Sequence, residues 1–243
     1  MFGTLRWLAF MGNRSLIVTN DGYVHCKSRF YTSRDLLSER RTYNFHIGEN
    51  MLRGEIDSGV WAVSYLLSMY TYKPKDFTIF QPAVAKLDGV TFSLCELSKK
   101  ACYIDYRNYP LFHSRATVRQ LIKRGLDRSH MSISGTPLTV DDVCEMFKLD
   151  DDRTNRRIMW CGNESMRSMA AVGYAHGREI FCYPWHSAER FNYFRFHLYY
   201  TFELLERLGL MAIVPVGLGE IDDEGRNYFK VEIPYGSDSC KNE

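Results

Sequence analysis

The stretch from Gly54 to Tyr72 limits the fold more than any other part of the chain. Gly54-Glu55-Ile56-Asp57-Ser58-Gly59 holds little but turn formers and acids, and residues 60–72 behind it are apolar with few interruptions. A helix that is apolar all round has no face to offer water and must be covered on every side. Residues 60–72 therefore read as a buried helix behind a glycine-bearing loop. The 243 residues are 45% hydrophobic, which is ample for the packed core such a helix needs.

Strand signals surround that helix. Residues 15–18 and 23–26 flank Asn20-Asp21-Gly22, a hairpin pattern, and residues 41–47 alternate as a further strand. Residues 77–80, 90–94 and 101–104 read as strands. The middle of the chain is helical. Thr117 caps a helix that Gly125 stops, and residues 129–135 form a polar loop. Thr139 caps a second helix with Asp141 and Asp142 in its first turn, where the helix dipole favours acids. A third helix covers residues 164–175. A β-rich run at 179–183 then meets Pro184, an aromatic helix spans 188–208, a strand covers 211–214, and an edge strand covers 228–233. This order specifies an α/β protein with a helical subdomain inserted in the middle. The expected layout is one fold over residues 1–243, with its core at about 15–105 and 176–243 and its insert at about 106–175.

Charge and cysteines exclude several classes. A formal net charge of +2 gives no nucleic-acid footprint. The seven cysteines are odd in number, scattered and without a CxxC pair, so neither a metal site nor a disulfide framework is expected, and a reducing compartment is the simpler reading. No apolar run approaches the roughly 18–20 residues of a membrane helix. Residues 1–11 are apolar but lack a small-residue cleavage site; they read as a segment packed into the core, with a short amphipathic helix docked on the body or on a partner as the alternative.

The glycines Gly54 and Gly59 have the spacing of a phosphate-binding loop, GxxxxGK[ST], followed by the helix that loop requires. That chemistry needs backbone N–H groups around the phosphates, a Lys to neutralise them and a Ser or Thr to hold magnesium. Here Val60 stands at the Lys position and Trp61 at the Ser/Thr position, while Asp57 adds negative charge and Ser58 precedes the second glycine.

Farther along, Trp160-Cys161-Gly162-Asn163-Glu164-Ser165-Met166-Arg167 resembles the signature LSGGQ-x-x-R of the ATP-binding-cassette (ABC) subunits of membrane transporters. Other segments resemble that family in the same order. They are the Gly48-Glu49 pair before the loop, Leu111-Phe112 with Thr117-Val118-Arg119, residues 143–152, and Ser187-Ala188-Glu189-Arg190 in the place of the family's SALD loop. Tyr31 stands close to where the family stacks an aromatic on adenine. The resemblance spans about residues 15–217. It implies a P-loop NTPase-like cassette with a mixed sheet core, an N-terminal antiparallel part and an inserted helical subdomain. It further implies a cytoplasmic position at the inner face of the membrane, a permease partner, and a homo- or heterodimeric cassette partner.

The family's chemical groups are missing. Its strand after the signature ends in an Asp for magnesium and a Glu that activates water; here the strand runs into Tyr183-Pro184-Trp185-His186. No Gln stands at residues 105–107, where the family senses magnesium, and no His at residues 215–217, where it has a switch histidine. Three tryptophans, Trp61, Trp160 and Trp185, fall on critical positions, as if the site had been filled in. Cys161 with His176 or His186 is a Cys–His pair in sequence only and gives no nucleophile. The expectation is a site with no catalytic residue, vestigial nucleotide-binding and signature segments, and at most weak ATP and magnesium binding. Two other readings use the same residues: a free regulatory module that kept the fold, and an ATPase that binds ATP through unusual groups.

Overall fold

The computed structural model describes residues 14–20, 24–27, 32–36, 41–79, 84–107, 109–112, 115–133, 135–221 and 227–230. In chain order these form β1 (Ser15–Asn20), β2 (Val24–Lys27), β3 (Thr32–Leu36), β4 (Arg41–His46), β5 (Gly48–Arg53), α1 (Val60–Met69), β6 (Phe77–Ile79), β7 (Val84–Leu87), β8 (Val90–Phe92), α2 (Leu94–Lys100) and β9 (Ala101–Tyr103). They continue with α3 (Val118–Ser129), β10 (Ser132–Ile133), β11 (Thr136–Pro137), α4 (Val140–Met146), α5 (Asp151–Thr154), α6 (Ser165–Ala175), β12 (Ile180–Cys182), α7 (Ala188–Arg207), β13 (Met211–Val216) and β14 (Asn227–Lys230). Residues 1–11 lie outside the described residues.

Five strands make a parallel sheet in the order β14-β5-β13-β12-β9. All six residues of β13, Met-Ala-Ile-Val-Pro-Val, are buried. That is the near-continuous apolar run of a parallel strand covered on both faces. Helix α1 is buried at all ten positions and packs on β9, β12, β13 and α2, which is why its sequence shows no polar stripe. Helix α7 lies on β5 and β13 and also reaches α6 of the helical part. Antiparallel strands form three further sheets, β4-β1-β7-β8, β3-β2-β6 and the two-stranded β10-β11 in the helical part. Among the described residues no helix is long and apolar enough to cross a membrane.

Several expected elements move. The hairpin around Asn20-Asp21-Gly22 is absent as a strand pair: β1 pairs with β4 and β7, while β2 pairs with β3 and β6. Residues 21–23 lie outside the described residues. Core packing outweighs the local turn signal here, because pairing with β4 sets Leu16 opposite Phe45 and Val18 opposite Tyr43, all buried. Strand β5 carries no strand signal in Gly48-Glu49-Asn50, yet it runs beside β13. The buried Asn50 amide donates to the carbonyls of His46, Gly48 and Ala212, and its Oδ1 accepts the His46 N–H, so the polar side chain stabilises the strand instead of breaking it.

The strand expected at 90–94 is shorter, and α2 follows it, opened by a capping box in which Ser93 and Glu96 satisfy each other's backbone N–H. Helix α3 does not stop at Gly125 but continues to Ser129, ending on left-handed His130. Gly125 serves a close helix crossing instead: a Cβ there would stand 2.8 Å from the Ala175 carbonyl carbon.

Candidate functional site

The loop of residues 54–59 leaves the carboxyl end of β5, the side of an open α/β sheet where ligands bind. Its backbone is bonded inward. Gly54 N donates to Val216 O at 3.0 Å, Ser58 N to Glu55 O at 3.0 Å, and Gly59 N to Ile56 O at 3.2 Å. The Ser58 hydroxyl also donates to Glu55 O, at 2.6 Å. Residues 56–58 thus close into a single 3-10 turn, and Gly59 at φ 76° makes the left-handed step into α1 that a side chain would resist. Val60 and Trp61 are both buried, Trp61 at 2% exposure with its ring 5.9 Å from that of Tyr65. Neither stands at the loop's open side.

A second layer closes over this turn. The Trp185 indole donates Nε1–H to Gly54 O at 3.1 Å, and its Cζ2 would be 3.1 Å from a Cβ on Gly217. Leu218 N donates to Glu55 Oε1 at 3.1 Å, and Arg53 donates Nη2–H to Gly219 O at 2.6 Å. The segments after β5, β12 and β13 are therefore tied together at one end of the sheet. His186 joins them by backbone, donating to Pro215 O and accepting from Gly217 N. His186, which belongs to the segment after β12, thus sits beside the end of β13. Its ring is buried at 3% exposure, 6.0 Å from Phe194, and neither nitrogen has a partner among the described residues. Burial, and secondarily Arg190, lowers its pKa to about 4.

At the end of β12 stands Tyr183, the first of the residues at which the sequence resemblance places the family's acids. Its ring is buried edge-on to Phe202, and burial pushes the phenol up. Its carbonyl accepts the Ser64 hydroxyl of α1 at 2.6 Å. Pro184 and Trp185 are half-buried, and Ser187 caps α7 by accepting the Arg190 N–H at 3.2 Å. No group of three or more His, Cys, Asp or Glu among the described residues could hold a metal. Tyr31 lies outside the described residues.

The signature-like segment lies on the helical part and behaves differently. Cys161 is fully buried, its thiol directed at the Arg153 and Arg157 carbonyls at 3.5 and 3.4 Å, and burial pushes it up. It is neither a nucleophile nor a donor offered to a partner. Gly162 and Asn163 are exposed, and Glu164 pairs with Arg167 at 2.8 Å. Trp160 is 58% exposed, so of the three tryptophans only Trp61 and Trp185 close the loop region. Asn163, Glu164 and Arg167 share an open cleft of about 270 Å³ with Arg153 and His197. Neither Arg153 nor His197 belongs to a motif in the sequence. No pattern links an α5 residue to one on α7, and only folding brings them together.

No family model and no curated protein matches the chain. Solved structures do. A bacterial Atm1-family ABC exporter, solved with ATP bound, matches with a TM-score of 0.52 and 10% identity, over 86% of this chain and 35% of that one. This chain therefore spans about a third of the exporter's length. An ABC transporter ATP-binding protein from Pyrococcus furiosus matches with a TM-score of 0.55 and 10% identity, over 89% of this chain and 97% of that one. The ATP-binding subunit of a further ABC transporter gives 0.54 and 11%, over 84% and 80%. At these identities the likeness is one of fold: the chain has the fold of an ABC ATP-binding cassette.

Proposed function

We propose that this chain is an ABC-type cassette that has lost ATP hydrolysis and serves as a structural subunit, docked to a transporter permease at the cytoplasmic face and paired with a competent cassette. The inward-bonded loop carries this reading. Catalysis of phosphoryl transfer is positioning and charge neutralisation, and each charge-assisted hydrogen bond to phosphate is worth about 1.5–3 kcal/mol. The Ser58 and Gly59 amides are engaged by Glu55 and Ile56, the cation and hydroxyl positions are buried Val60 and Trp61, and Tyr183-Pro184 replaces the acid pair. These residues do not fit a magnesium triphosphate.

Calorimetry with Mg-ATP is expected to give no saturable heat at millimolar nucleotide; micromolar binding would refute the lost site. Purification from membranes is expected to bring down a permease or an intact cassette. A chain found solely as a monomer outside the membrane fraction would favour a free regulatory module instead.

A further inference from the structure

The cleft on the helical part has a chemistry of its own. Its volume of about 270 Å³ is several times the roughly 30 Å³ of a water molecule and just below the ~300–1,000 Å³ of pockets for drug-sized ligands. It suits a small metabolite. Two guanidinium groups line it and only one carboxylate. The Glu164–Arg167 pair is a single contact that leaves Arg167 Nε and Glu164 Oε2 without partners. Arg153, half-buried, makes no ion pair among the described residues. Its Nη1 lies 3.7 Å from where a Cβ on Gly162 would stand, which places the guanidinium beside the signature-like turn. A guanidinium with no resident carboxylate keeps its donors available to an anion in the cleft.

Donors reach the cleft from three elements: Arg153 from α5, Asn163 and Arg167 from the turn and first residues of α6, and His197 from α7. The two coplanar oxygens of a carboxylate engage one guanidinium fork. The three outward oxygens of a phosphate monoester match donors arriving from three sides. Tyr193, 71% exposed, precedes His197 by one turn on the same face of α7, at the edge of the surface that carries the cleft's histidine. We propose that this cleft binds the phosphate group of a small phosphate monoester within one protomer. It uses no residue of the loop before α1, so it stands apart from the reading above.

The test is calorimetry on the full chain at constant ionic strength with glycerol 3-phosphate, inorganic phosphate, glycerol and Mg-ATP. Glycerol 3-phosphate is expected to bind saturably, inorganic phosphate more weakly and glycerol not at all. Arg153→Ala is expected to weaken the monoester by about tenfold or more, in line with loss of a charge-assisted bond. Lys123→Ala, an exposed charge outside the cleft, is expected to leave it unchanged. If Arg153→Ala does not fold, His197→Ala on the exposed face of α7 reads the same site and is expected to weaken binding severalfold.

Absence of monoester binding at millimolar ligand overturns the proposal, as does equal loss in Lys123→Ala and Arg153→Ala. Response to Mg-ATP alone, with pairing of protomers in sedimentation, also overturns it, because it assigns these residues to a partner's nucleotide. Mg-ATP binding that survives Arg153→Ala in the single protomer counts against the lost-site reading and leaves the cleft to be judged by its own ligand.

Discussion

The two regions that resemble a nucleotide site have opposite physics. The turn before α1 is closed: Ser58 N and Gly59 N meet carbonyls of the same turn, Gly54 N meets Val216 O, Trp185 lies over it, and Val60 and Trp61 belong to the core. The signature-like turn is open: Gly162 and Asn163 face solvent, Trp160 is exposed, and charged side chains line a cleft. A turn whose last two amides are bonded within it contributes to stability and withholds those donors from a ligand. An open turn with an unpaired guanidinium contributes little to stability and keeps its donors available. Stability and binding should therefore respond to mutation in opposite proportions in the two regions.

The tryptophans give the largest contrast. Trp61→Ala empties a core position and is expected to cost about 3–5 kcal/mol, whereas Trp160→Ala is expected to stay within ~0.5 kcal/mol. Denaturant unfolding of the two variants measures this directly. Equal losses would break the comparison, since they would mean that both turns are structural.

Acid should attack the closed region next. The His186 imidazole titrates near 6.5 when unfolded, and burial lowers its pKa to about 4 in the fold. Between these values the unfolded state holds more protons, so stability is fully present above pH 6.5 and falls as the pH drops toward 4. The loss reaches at most ~3 kcal/mol for a shift of this size. Unfolding midpoints measured across that window are expected to slope for the native chain and to flatten in His186→Leu. An unchanged slope would place the proton uptake elsewhere.

A smaller effect belongs to the lid over the loop. Trp185→Phe keeps an aromatic ring but removes the indole donor from the Gly54 carbonyl, which is expected to cost about 1 kcal/mol. Faster amide exchange at Ser58 and Gly59 would show that this bond keeps the turn shut; unchanged exchange would show that the turn is closed by its own hydrogen bonds alone.

Much of the fold could be read from the residues because it rests on patterns with a local cause. Residues 60–72 are apolar all round because α1 is covered all round, and β13 is an unbroken apolar run because it is central. The misreadings occur where a distant partner changes the meaning of a residue. Gly48-Glu49-Asn50 shows no strand signal, and the Ala212 carbonyl beside Asn50 is what makes it a strand; Gly125 looks like a stop until Ala175 packs against it. The candidate regions divide the same way. The loop was legible from glycine spacing, but its closure depends on Trp185, Val216 and Leu218, which arrive from other strands. The cleft was half legible: Asn163, Glu164 and Arg167 stood out, while Arg153 and His197 join them only through the packing of α5 and α7.

The open region can be sharpened by one substitution with almost no structural cost. Glu164→Gln removes the carboxylate that competes for Arg167 and preserves the side chain's shape. The pair is only partly shielded, with 26% and 20% side-chain exposure, so its loss is expected to cost under ~1 kcal/mol of stability. The same change leaves both guanidinium groups without a resident counter-ion, which raises the net positive charge of the cleft by one. Glycerol 3-phosphate is then expected to bind a few-fold more tightly, up to about tenfold for 1.4 kcal/mol of relieved competition. Weaker binding would mean that Glu164 orients Arg167 for the ligand and does not compete with it. A large fall in stability would mean that the ion pair, despite its exposure, helps hold α6 to the turn before it.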